Sequence, residues 1–170
     1  MSIFKKYRYS IQAGMAIFTA ILLLNGCTGA TIYHFYQPID KSGWGKHDTL
    51  VYQLPKDSIP DVYTISIGLR TTDTYRYTSL WIVMEEDLKE KGVFVRDTIN
   101  YPVTDKSGSM LGSGFSSHQQ EIKVKTIAVT PQSGTTVKLF HIMKRESIQG
   151  IQNIGINVSS DSLQRQFSKR

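Results

Sequence analysis

The chain has 170 residues, a formal net charge of +6, 40% hydrophobic residues and a single cysteine. That length suits one domain with a real core, one cysteine leaves no intrachain disulfide framework, and no Lys/Arg block interleaved with aromatics marks a nucleic-acid footprint. Half of the excess charge comes from Lys5, Lys6 and Arg8; without residues 1–26 the remaining 144 residues carry +3, close to ordinary.

Those three basic residues precede an uncharged run from Ala13 to Leu24. A basic head, a short apolar run and small residues before a cleavage point describe a secretory signal peptide. The run is about 12 residues, whereas a helix needs roughly 20 to cross a bilayer. Leu24-Asn25-Gly26-Cys27 resembles the bacterial lipobox, in which the cysteine sulfur takes a lipid (palmitate in the mature group) and the chain is cut just before it; Asn25 departs from the usual small or aliphatic residue. The alternative is an ordinary signal peptide followed by a free thiol, which exported proteins rarely leave. Each buried CH₂ contributes about 0.8 kcal/mol, so two or more acyl chains anchor stably where one does not. The expected organisation is a lipoprotein signal peptide at 1–26, a lipidated Cys27 with a short tether over 27–30, a β-domain at 31–159 and a basic, flexible tail at 160–170. No acidic cluster of the kind that resembles a bacterial surface-export signal follows Cys27, and that resemblance being absent favours the periplasmic side of the outer membrane.

Beyond the tether, apolar residues recur with period two and hardly ever with helical spacing. Strands are predicted over 31–36, 49–54, 62–69, 75–85, 93–99, 120–129, 135–143 and 151–158. Tyr63, Ile65, Ile67 and Leu69 alternate with smaller or more polar neighbours, as in a strand with one buried face. Lys41-Ser42-Gly43, Leu54-Pro55-Lys56-Asp57, Asp105-Lys106-Ser107-Gly108 and Pro131-Gln132-Ser133-Gly134 carry turn chemistry between them. Single helical turns are expected at 87–91 and 144–149. About eight strands with no crossover helices predict an all-β fold, an antiparallel β-sandwich with the jelly roll as one form of it.

Several residues invite a functional reading, and each has a structural one beside it. In 75–85, Leu80, Ile82 and Met84 share one parity, which leaves Tyr75, Tyr77 and Trp81 as an aromatic ladder on the other; either that ladder faces a ligand or both faces are buried in a central strand. Trp44, in a glycine-rich turn, is a loop anchor or a stacking platform. Gly112-Ser113-Gly114 lacks the Lys-Ser/Thr and helix start of a phosphate loop and reads as a tight turn. His34, His47, His118 and His141 have no metal-ligand spacing, so no metal or other cofactor is expected. Glu85-Glu86-Asp87 could pair carboxylates for glycoside chemistry, but a charged turn ending a strand is the commoner origin of such a run. No catalytic residue is expected.

Trp44 before a strand, Arg70 with Tyr75/Tyr77/Leu80, the Gly108–Gly114 turn, Met143-Lys144-Arg145 and the ending at Gly155 together resemble the gliding-motility lipoprotein H family, GldH, of Bacteroidetes. Thr78-Ser79 stands where an asparagine is usual before the leucine, and Met110 where a large aromatic is usual. The resemblance implies an accessory envelope lipoprotein without enzymatic activity, held to the membrane by its lipid and associated with protein partners of the gliding and type IX secretion machinery. Trp44, Arg70, Tyr75, Tyr77 and Trp81 form the candidate interaction surface; a carbohydrate-binding sandwich using the same aromatics is the alternative.

Overall fold

The structure, a computed structural model, describes residues 31–55, 59, 62–87, 94–128 and 136–160. The signal segment, Cys27, the tether, the turn at Pro131–Gly134, most of the expected helical turn at 87–91 and the tail beyond Ser160 lie outside the described residues.

Among the described residues ten strands follow one another: β1 (Thr31–Pro38), β2 (Trp44–Gly45), β3 (Leu50–Gln53), β4 (Val62–Thr71), β5 (Ser79–Asp87), β6 (Phe94–Pro102), β7 (His118–Ala128), β8 (Thr136–His141), β9 (Ser147–Ile148) and β10 (Ile151–Ser160). One sheet has the order β1-β10-β4-β7, the second β3-β8-β5-β6, and β2 pairs with β9 in a small third one. All pairings are antiparallel. The first strand pairs with the last, the second with the ninth, the third with the eighth, the fourth with the seventh and the fifth with the sixth. The chain is thus one long hairpin, bent back on itself so that successive strand pairs fall in alternate sheets. This is the jelly-roll form of the sandwich.

Alternation decides which face is buried. Tyr63, Ile65, Ile67 and Leu69 on β4 meet Leu80, Ile82 and Met84 on β5, with Ile154, Ile156 and Val158 of β10 and Val137 and Leu139 of β8 completing the core. Burying a side chain of this size contributes roughly 1.5–3 kcal/mol. The outer face of β4 is covered as well at Thr64 and Ser66, because β4 lies between two neighbours in its sheet. Farther along, Gly68 and Gly155 pair across β4 and β10, and the Tyr36 ring lies over both where any Cβ would collide with it.

Two expectations change. Residues 144–149 make no helical turn: Ser147 and Ile148 are extended and pair with Trp44 and Gly45. Strand β5 begins at Ser79 rather than Tyr75 and continues through Glu85-Glu86-Asp87, which therefore end no turn of their own. The earlier start is prevented by a bend in which the Tyr75 amide donates to the Thr72 carbonyl, while the Tyr75 hydroxyl folds back onto the Ser79 carbonyl at 3.0 Å.

Candidate functional site

The strands give the sandwich two unlike ends. One holds the start of β1 and the end of β10; the other holds the β1–β3, β4–β5, β6–β7 and β8–β10 connections. Most of the candidate residues belong to this second end, where they have separate tasks.

Trp44 is fully buried. It sits where the folded hairpin crosses from one sheet to the other, and the β2–β9 pair holds that crossing. Its indole Nε1 donates to the Asp48 carbonyl at 3.0 Å, and an Asp48 carboxylate oxygen accepts from the Gly45 amide. Against it packs His141, edge-on with ring centroids 5.2 Å apart. His141 Nε2 lies 3.0 Å from the Trp44 carbonyl, which makes it the protonated nitrogen of a neutral ring. Burial lowers the His141 pKa, and the nearby Lys46 charge adds to this while the Trp44 carbonyl opposes it. Nδ1 is buried without a hydrogen-bond partner.

Tyr75 is buried too, and Tyr77 packs edge-on against it with centroids 5.6 Å apart. Gly150 makes this possible: at φ +84° it passes directly under the Tyr75 backbone, with no space for a Cβ. Tyr77 also lines a shallow depression with Thr74, Arg76, Ser147 and Gln149.

Trp81 alone of the candidate aromatics faces solvent, 43% exposed. It stands on the outer face of the β3-β8-β5-β6 sheet, beside Ile142, whose amide bonds to the Trp81 carbonyl. Arg70 is on the opposite side of the molecule, on the outer face of the other sheet. There its guanidinium lies 4.9 Å from the centroid of the Tyr36 ring, and its Nε donates to Gln119 Oε1 at 2.9 Å. Asn157 and Glu121 bond alongside at 2.8 Å. The five candidates therefore do not converge, and Trp44, Tyr75, Tyr77 and Trp81 form no common stacking plane. With Trp44 and Tyr75 buried, only Tyr77 and Trp81 keep any ring surface, so the four do not make the expected sugar platform.

The acidic run is also put to another use. Glu86 continues the inward parity of Leu80, Ile82 and Met84 and is completely buried. Lys125 Nζ reaches it from the facing sheet at 2.8 Å and meets Asp97 at 2.5 Å. Lys125 can point inward because β7 carries a bulge opposite Ile65 and Ser66. Burial raises the Glu86 pKa against the pull of Lys125. Glu85 faces outward and pairs with Arg96. Sequence periodicity had placed these residues at a strand end; only the register shows that one of them enters the core.

Among the described residues, no group of three or more His, Cys, Asp or Glu side chains could hold a metal ion, and no helix is long and apolar enough to cross a membrane. His118 pairs with Asp73 at 3.1 Å, His141 is buried against Trp44, and His34 and His47 are exposed.

The GldH lipoprotein family profile matches residues 31–158, the whole described domain but for its last two residues. A gliding motility lipoprotein GldH homolog of Christiangramia forsetii is 30% identical over 108 residues, 64% of this chain and 64% of that protein. The gliding motility lipoprotein GldH of Flavobacterium johnsoniae is 21% identical over 154 residues, 86% of this chain and 95% of its own length. Among solved structures, dimeric latent PorU from Porphyromonas gingivalis aligns with 80% of this chain and 14% of its own, at 8% identity and a TM-score of 0.37, too low to carry an argument. With a family profile spanning residues 31–158 and two related lipoproteins beside it, the chain belongs to the GldH lipoprotein family.

Proposed function

We propose that this protein is a lipid-anchored accessory component of the bacterial envelope, held through Cys27 to the periplasmic face of the outer membrane. It acts there by binding protein components of the gliding and type IX secretion machinery and catalyses no reaction. The observation that carries this reading is the match of residues 31–158 to the GldH lipoprotein family, whose relatives here are named for gliding motility. Supporting it, the groups that suggested chemistry have structural partners: Glu86 is paired with Lys125 and Glu85 with Arg96. Thr31 opens β1 four residues after Cys27. An extended chain of that length reaches about 14 Å, so the domain stays beside the lipid surface.

Fractionation of native envelopes with mass spectrometry of the amino-terminal peptide, with and without globomycin, tests the anchor. The expected result is an acylated peptide beginning at Cys27 in the outer-membrane fraction, and precursor accumulation under globomycin. A free, unacylated product beginning elsewhere overturns it. Copurification of the full chain with gliding or secretion components tests the partners; their consistent absence from crosslinked native envelopes overturns the interaction reading.

A further inference from the structure

We infer that the edge of β1 left unpaired among the described residues is a pairing site for an extended strand of another envelope protein. The inference rests on the interaction reading above and names the surface it would use. A sandwich of two four-stranded sheets has four edges, here β1, β7, β3 and β6. Unprotected edges pair with other strands, so soluble proteins shorten them, bulge them or point charges inward from them. Three of the four are protected in these ways. Strand β3 has only four residues. Strand β7 is bulged, carries the inward Lys125, and has its Gln119 backbone bonded in both directions to Ser113. Strand β6 turns Asp97 inward to Lys125.

Strand β1 has none of this protection over its central part. Its eight residues, TIYHFYQP, include no charge, and its irregularity is confined to Thr31–Tyr33. The Ile39 amide bonds to the Gln152 carbonyl of β10. By the alternation of an antiparallel ladder, the odd-numbered residues then face β10, and His34 and Tyr36 turn their N–H and C=O groups outward. Phe35, 50% exposed, stands at the mouth between the sheets with its ring 6.5 Å from Tyr52. An added strand satisfies the four outward groups and covers Phe35. The fitting partner segment is extended, apolar on the side facing Phe35 and polar on the side facing His34.

A second copy of this chain fits less well. Antiparallel pairing of β1 with itself puts the two Thr31 residues at opposite ends of the pair, about 26 Å apart for eight residues, and thus sets two short tethers at opposite ends.

The test is photocrosslinking in the native host, with a benzophenone amino acid placed in the full lipoprotein at His34, at Pro38 and, as a control edge, at Thr98 of β6. The expected result is adducts from His34 and Pro38 to one short segment of a single envelope protein, offset by about four residues as strand pairing requires, with Thr98 giving none. Adding Phe35→Lys to the His34 probe lowers the yield at least about fivefold, as loss of a central apolar contact does. Adducts of dimer mass, links to residues 161–170 of the same chain, equal labelling from Thr98, or no adduct from β1 each overturn the proposal. Failure at β1 while gliding or secretion components still copurify refutes the edge alone; loss of both refutes the interaction reading.

Discussion

The two ends of the core are filled by opposite means. At the end of the β1–β3 and β8–β10 crossings, Trp44, Tyr75 and a neutral His141 close the sandwich with aromatic volume. Near the end that holds Thr31 and Ser160, a charged bridge of Glu86, Lys125 and Asp97 spans the sheets. An aromatic plug fails when volume is removed, whereas an ionic one fails when one partner is removed and the other stays buried. The same substitution logic therefore gives different results at the two ends.

The largest effect is expected at the aromatic end. Trp44→Ala should lower unfolding free energy by about 3–5 kcal/mol, read from denaturant midpoints at unchanged slope; a loss below about 1 kcal/mol would mean the crossing is held by β2–β9 pairing alone. At the ionic end, Lys125→Met should cost about 3 kcal/mol, the lower part of the range for breaking a buried pair because Lys125 keeps some solvent contact. Here the comparison sharpens: the double variant Lys125→Met/Glu86→Leu should recover to within about 1 kcal/mol of the parent or exceed it. No second substitution of that kind rescues Trp44→Ala.

A smaller effect depends on pH. The His141 pKa is lowered on folding, so the native state binds fewer protons than the unfolded chain. Its contribution is complete above the unfolded value of 6.5 and is lost as pH falls from there through the depressed folded value. Protonation would also add an N–H at Nδ1, which has no acceptor. Thermal melts in that acidic window should fall less steeply with decreasing pH for His141→Gln than for the parent; parallel curves would show that other groups govern the window. The smallest effect is expected at exposed Trp81, where Trp81→Ser should stay within about 0.5 kcal/mol of the parent.

All eight long strands were legible from alternation, since each carries at least two apolar residues of one parity. The two-residue strands β2 and β9 were not. Two residues contain no period, and nothing in residues 144–149 marks the extended pairing of Ser147 and Ile148 with Gly45 and Trp44. The aromatic ladder failed for a related reason: Tyr75 and Tyr77 continue the parity of Trp81 in sequence but precede the strand in space. Glu86 was hidden because its partner Lys125 comes from a bulge on another sheet, and a bulge changes parity without a mark in composition. Family membership was legible because it rests on the order of motifs along the chain, which does not depend on where each side chain points.

The nested pairing also sets the order in which the protein can be completed. Strand β1 is among the first parts of the domain to be synthesised and exported, yet its neighbour in the sheet is β10, about 120 residues later. Closing so long a loop is entropically unfavourable, and folds dominated by distant contacts form slowly. Strand β1 therefore waits, uncharged and with both sides unpaired, until the carboxy-terminal strand has emerged. During that interval its backbone N–H and C=O groups are open to pairing with any other extended strand.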